Sequence, residues 1–187
     1  VRKRVLISAA AMLPLAACGG TDPAQTNAAT PPAQQPAERA PLSPPTPGTA
    51  GGLPIQPGSP VAEPNGPIDP KSAEAAGQVV QLYAALVEAK KFDEAARLRP
   101  GNTGASLKQD YAGYSEVHMQ IGAPSEPEGA AGSAYVTVPV VVYGRQLDGK
   151  QFSNPGTVTL RRINDVPGST EEQRRWHIET IVLKPTQ

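Results

Sequence analysis

From Ser72 onward the apolar positions follow a helical rhythm: Val79, Leu82, Tyr83, Leu86 and Val87 recur three and four apart, flanked by Gln78, Gln81, Glu88 and Lys90. That spacing predicts an amphipathic helix. Lys90-Lys91 closes it with positive charge at the negative end of the helix dipole. Phe92 to Leu98 then predicts a second short helix, stopped by Pro100-Gly101, and the two form a helical hairpin. Leu107 and Tyr111, four apart, extend the pattern to a third helix over 106–114, weakened at its end by Gly113.

Beyond Tyr114 the period becomes two. Val117-His118-Met119-Gln120-Ile121 alternates weakly, and Ala134 to Tyr143 alternates strongly. Val136, Val138, Val140 and Val142 share one face of that second strand, with Tyr135, Thr137, Pro139, Val141 and Tyr143 opposite. Being apolar on both faces, it is expected to be covered on both. Pro139 has no N–H for a ladder, which implies a bulge or an edge at that point. Asp148-Gly149 signals a hairpin turn. The return strand carries Phe152, breaks at Asn154-Pro155-Gly156 and resumes with Val158, Leu160 and Arg162 alternating with Thr157, Thr159 and Arg161. A last strand sets Trp176, Ile178, Thr180 and Val182 on one face and His177, Glu179, Ile181 and Leu183 on the other. Helices followed by four strands in meander order predict an α+β domain over residues 71–187, its N-terminal helices packed on an antiparallel four-stranded sheet. Tyr135, Val141, Tyr143, Ile181 and Leu183 supply apolar area on the outer sheet face that one layer of helices leaves open. A homodimer or an envelope protein partner is the expected cover.

The preceding segment has a different composition. Residues 19–70 hold fourteen of the 22 prolines, seven glycines and no aromatic residue, so the stretch from Cys18 to Pro70 reads as a disordered tether. Ahead of it, Arg2, Lys3 and Arg4 precede a run from Val5 to Ala17 that is apolar except for Ser8 and is interrupted by Pro14. This is the grammar of a signal peptide over residues 1–17, and it is shorter than the roughly 20 apolar residues that span a bilayer. Leu15-Ala16-Ala17-Cys18 resembles the lipobox of bacterial lipoproteins. The resemblance implies a diacylglycerol thioether on Cys18, cleavage ahead of it and later N-acylation by a palmitate-type chain, which together give stable membrane anchoring. Gly19, where an inner-membrane retention residue would stand, implies the outer membrane, facing the periplasm.

Charge narrows the partners: 17 basic residues balance 17 acidic ones, and no basic patch of a nucleic-acid binder is present. One cysteine excludes an internal disulfide and any CxxC motif. The helical hairpin ending in Phe92-Asp93-Glu94-Ala95-Ala96, the long hairpin and the closing Arg175-Trp176-His177-Ile178 resemble the nuclear transport factor 2-like superfamily, which includes SnoaL-like and ketosteroid-isomerase-like proteins. The resemblance covers residues 73–184 and implies a curved sheet wrapping the helices as a cone. It constrains fold more than activity.

No GxGxxG, Walker, HExxH, GxSxG or EF-hand pattern occurs. Glu116 with His118, and His177 with Glu179, each lie on one strand face and carry metal-ligand chemistry, but a meander keeps the first and fourth strands apart, so no metal and no cofactor is expected. An isomerase or hydratase needs a carboxylate or histidine of raised pKa and a tyrosine donor. Tyr83, Tyr111, Tyr114, Asp110 and His118 are the suppliers, with Tyr83, Tyr114 and His118 as pocket candidates. Trp176 fits a core anchor better than a ligand platform. The leading reading is a lipid-anchored, non-catalytic binding or adaptor module of the cell envelope. A pocket enzyme of isomerase or hydratase type and a structural envelope component are the alternatives.

Overall fold

The computed structural model describes residues 41–55 and 66–185. Cys18 and the signal segment over 1–17 lie outside the described residues, as does much of the tether. Helix α1 runs Ala73–Glu88, with the Ser72 side chain accepting a hydrogen bond from the Ala75 N–H. Such a cap satisfies one of the amides that a helix start leaves unpaired. Its buried stripe of Ala76, Val80, Tyr83 and Val87 belongs to the same core as Val136, Val138, Val140, Val158, Leu160 and Ile178. Helix α2 covers Phe92–Arg97 and α3 covers Gly104–Asp110. The third helix starts and stops earlier than its apolar spacing suggests. Thr103 and Ser106 form a reciprocal capping box at its start, and Tyr111 to Gly113 turn the chain into the sheet.

The sheet is antiparallel, open and five-stranded: β1 (Tyr114–Ile121), β2 (Glu128–Ala130), β3 (Ser133–Gln146), β4 (Gln151–Ile163) and β5 (His177–Leu183), in the order β1-β3-β4-β5 with β2 paired to β3. The architecture is α+β, with one strand more than the pattern predicts. The extra strand, β2, carries no large apolar residue and is wholly exposed, so it leaves no alternation to read.

Nor is there a break at Asn154-Pro155-Gly156. All thirteen pairs from Ser133↔Ile163 to Arg145↔Gln151 stay in register. Pro139 is accommodated without a bulge in that ladder, because β1 ends opposite Val140 and the missing N–H falls at a local edge. Gly122 N–H donates to the Pro139 carbonyl at 2.8 Å, and Ser125 pairs with the Thr137 amide and carbonyl in place of a strand.

The last strand corrects two expectations together. Thr159 pairs with Thr180 but Leu160 with Ile178, so Glu179 is an extra, bulged residue. A bulge re-aims every side chain beyond it. Trp176 and Ile178 face the core as the alternation predicts, but past Glu179 it is Ile181 and Leu183 that pack on the core, while Val182 points outward. Ile181 and Leu183 therefore do not belong to an outer interaction surface.

The outer face of β3 is also not open. Residues 41–55, expected as free tether, lie across it and belong to the same compact unit, which spans Ala40–Gln187. Leu42, Ser43 and Pro45 lie beside Tyr143 and Phe152, and Gly48 to Ile55 beside Pro155, Thr157 and Val182. The segment turns on itself through Gly48 N–H to Leu53 C=O at 2.7 Å, and Ser153 Oγ donates to the Gly51 carbonyl. Leu53 is 7 % exposed, and Val141, on the face this segment crosses, is fully buried. The approach is close. A Cβ added to Gly122 would stand 2.8 Å from Pro139 Cγ and 3.5 Å from Leu53 Cδ2. Val141 is thus lost to any partner, and Tyr135 and Tyr143 remain half-buried on that face.

A buried cation locks the opposite end of the sheet. Arg162 is 6 % exposed, its Nε donating to the Arg174 carbonyl at 2.8 Å and its terminal nitrogen to Asp165 at 3.0 Å, with the Trp176 ring 6.0 Å away. Asp165 also holds Lys71, just ahead of α1. These contacts keep its carboxyl below the usual carboxylate range, the Lys71 hydrogen bond contributing most.

Because Leu53 anchors the Pro-rich segment by apolar burial, Leu53→Ala in the full chain should cost about 2–3 kcal/mol of stability by urea denaturation. A spacer that never docks would leave the midpoint unchanged.

Candidate functional site

Two depressions share a wall where the helices meet the β1 edge. The smaller, of about 260 Å³, is lined by Arg99 and Asp110 together with Tyr111, Tyr114, Val117, Val142, Phe152, Asn154, Ile181 and Leu183. The larger, of about 560 Å³, is formed by Val87, Glu88 and Lys90 at the end of α1, Phe92, Lys108 and Tyr111 from the helices, Tyr114 to His118 of β1, and Leu147 at the hairpin tip. Its volume falls in the range of about 300–1,000 Å³ usual for small-molecule sites.

The shared wall holds Tyr111 and Tyr114, the middle members of a row of aromatic rings. Phe92 stacks on Tyr111 with centroids 6.0 Å apart, Tyr111 tilts against Tyr114 at 6.4 Å, and Tyr114 meets Phe152 at 4.7 Å. Such pairs are favoured by ring quadrupoles and are worth about 0.5–1.5 kcal/mol each beyond their buried area. The row joins α2, the end of α3, β1 and β4 into one rigid surface.

At the far end of the larger groove His118 is held on both ring nitrogens: Nδ1 lies 2.8 Å from Glu88 and Nε2 2.8 Å from Glu116. Carboxylates only accept, so both contacts are hydrogen bonds when the ring carries both protons. Glu116 also accepts from Arg145 Nε at 3.3 Å, and the His118 ring lies 5.4 Å from that of Tyr143. The result is a clasp in which the last turn of α1 grips the edge strand. Each of its carboxylates has a hydrogen-bonding partner within the clasp. Glu116 is held below the ordinary carboxylate range, first by the His118 hydrogen bond and also by Arg145.

Of the sequence candidates, Tyr114 and His118 do line one groove. Tyr83 does not join them. It is fully buried in the core, and its hydroxyl, like Trp176 Nε1, has no hydrogen-bond partner among the described residues. Burial, and then the nearness of Tyr83, raise the Tyr111 hydroxyl above the ordinary phenol value. Asp110 is exposed. Glu116, His118, His177 and Glu179 do not converge, since β3 and β4 separate β1 from β5. His177 pairs instead with Glu172 at 3.1 Å, and Glu179 with Arg161 at 4.0 Å. Among the described residues no group of three or more His, Cys, Asp or Glu side chains is arranged to hold a metal ion.

The pattern missed Lys90, Lys108 and Leu147 as groove residues. Lys90 reads as a helix-closing charge, and only its positive φ of 57° shows how it is turned to the rim. Leu147 was legible in principle, as a lone apolar residue next to a turn signal.

No family model matches this chain, and no curated protein matches it. Among solved structures, the crystal structure of the Kfla4162 protein from Kribbella flavida is similar, with 14 % sequence identity and a TM-score of 0.44 over 60 % of this chain and 88 % of that one. A likeness of that degree assigns neither a family nor an activity. Among the described residues no helix is long and apolar enough to cross a membrane.

Since the Glu116 carboxyl is lowered by its native partners, its stabilising effect is complete above the unfolded carboxylate value near 4.5 and drains away as pH falls through the lower native value. Glu116→Gln should therefore lower Tm clearly at pH 6 and by less at pH 3. An equal loss at both pH values would mean that the clasp charge contributes nothing.

Proposed function

We propose that this chain is a lipid-anchored cell-envelope protein whose folded unit is a binding module rather than an enzyme. The observation that carries the non-catalytic reading is the state of the polar groups at the grooves. The histidine is tied on both nitrogens to carboxylates, and the nearest free carboxylate, Asp110, is exposed to solvent. Neither is a buried acid or base of the kind that proton transfer requires. Burial also makes the Tyr111 hydroxyl a poorer proton donor.

The finer fold reading belongs with this proposal: a cone of the nuclear transport factor 2-like kind. It is supported by three helices that precede one antiparallel sheet and pack on a single face of it. Anchoring rests on the Leu15-Ala16-Ala17-Cys18 resemblance, with the outer membrane facing the periplasm as its expected place. A protein partner or second copy would have to use a surface other than Val141, Ile181 and Leu183, which are spent within the chain. One observation favours the competing isomerase or hydratase reading: Asp110, Tyr111, Tyr114 and Arg99 line the same 260 Å³ recess. In that case Asp110→Asn would abolish turnover of the substrate without changing Tm.

Protein isolated from its own cells should carry acyl mass on Cys18, and Cys18→Ala should lose both that mass and membrane sedimentation. An unmodified Cys18 in membrane-free protein would refute the anchor. For the module itself, crosslinked purification should retain a stoichiometric ligand or partner, whereas turnover that depends on Asp110 would replace the binding reading with the enzymatic one.

A further inference from the structure

The charge balance of the larger groove narrows what it takes. Five charged or chargeable side chains line it: Glu88, Lys90, Lys108, Glu116 and His118. Both glutamates are committed, Glu88 to His118 and Glu116 to His118 and Arg145. Among the described residues no salt bridge or side-chain hydrogen bond engages Lys90 or Lys108, so two ammonium groups are left over at the rim.

Two features suggest that this surplus faces a ligand. Lys90 stands in the left-handed region, φ 57°, just past the end of α1. Glycine is favoured at such a position, and a lysine there keeps a strained backbone together with a charge. Leu147, 69 % exposed, reaches over the groove from the β3–β4 hairpin, and its N–H donates to the Gly113 carbonyl at 3.1 Å. Its backbone is thereby held while its apolar side chain stays exposed, lining the same groove as the Phe92, Tyr111 and Tyr114 rings.

We infer that the 560 Å³ groove binds a small amphiphilic anion, its apolar body lying between Leu147 and the aromatic row and its anionic head reaching Lys90 and Lys108. The inference rests on the binding-module reading and adds the ligand class. Charge complementarity sets the sign of the head group. The aromatic and aliphatic lining sets the body.

Calorimetric titration of the full chain carrying Cys18→Ala with octanoate, octanol and octyltrimethylammonium tests it, all three below their micellar concentrations. Octanoate should bind about tenfold more tightly than either other probe. The double variant Lys90→Gln with Lys108→Gln should erase that advantage while leaving octanol binding unchanged. Both lysines are exposed, so the fold should persist, as circular dichroism will verify. Leu147→Ser should weaken octanoate and octanol alike. Equal affinity for the alcohol or the cation, or an octanoate affinity insensitive to the lysines, would overturn the anion inference and leave a binding module of another specificity. Failure of all three probes would overturn it as well, while the module reading stands or falls separately on copurification and on Asp110-dependent turnover.

Discussion

Strand β3 is apolar on both sides, and most of the structure follows from having to cover it twice. Val136, Val138 and Val140 on one face are buried with the α1 stripe, and Val141 on the other disappears where the Pro-rich segment crosses. A strand buried on both faces contributes apolar area twice per unit length, at about 25 cal/mol for each Å² removed from water. It also demands two covers. One is the expected layer of helices. The other comes from residues 41–55, whose Pro-rich composition gives no sign of a core of its own and which lie against the outer face of the sheet. Prolines suit that task, since their fixed φ lowers the entropy lost on docking and they need no donor partner.

At the edge of the sheet, the same geometry produces the grooves. β1 is half-buried along its whole length, covered by α1 on one side and by little on the other. The clasp of Glu88, His118, Glu116 and Arg145 ties the helix to that edge with polar groups, beside the apolar packing of Val117, Met119 and Ile121 on the core. Charged contacts at partial exposure hold position but do not fill space. An opening is therefore left between the end of α1, the two short helices and the hairpin tip, lined by Phe92, Tyr111 and Tyr114 of the aromatic row.

Periodicity made the three helices, the long hairpin and the inner face of β3 legible, because Val79 to Val87 and Val136 to Val142 each obey a single period over many residues. Local chemistry hid the rest. β2 is Glu128-Gly129-Ala130, with no alternation to detect, and its turn is Ala131-Gly132, both at positive φ, where asparagine or aspartate at the first position would have made the usual signal. The Glu179 bulge shifts a face by one residue, which no alternating pattern can announce, so Ile181 and Leu183 were assigned to the wrong side. Arg162, next to Arg161 in sequence, reads as a solvated flank, yet Asp165 and the Arg174 carbonyl make its burial tolerable. The docking of residues 41–55 depends on a distant apolar face, and composition alone carries no trace of it. At the candidate site, Tyr114 and His118 were legible as residues, but their roles were not. Whether a histidine is free or clamped depends on Glu88, thirty positions earlier in the chain.

Function is most sharply located by separating groups that are satisfied within the chain from groups that are not. The outer sheet face is occupied by Leu53 and its neighbours, the buried cation by Asp165, and the histidine by two carboxylates. At the open end of the helices stand one exposed apolar residue, Leu147, a wall of aromatic rings, and two lysines without a salt-bridge or side-chain hydrogen-bond partner among the described residues. Folding alone does not call for the exposed Leu147 or for a lysine at the positive φ of position 90, where a polar residue and a glycine would be cheaper. Their coincidence in a single groove, rather than any catalytic motif, is what distinguishes this face of the molecule from the rest of its surface.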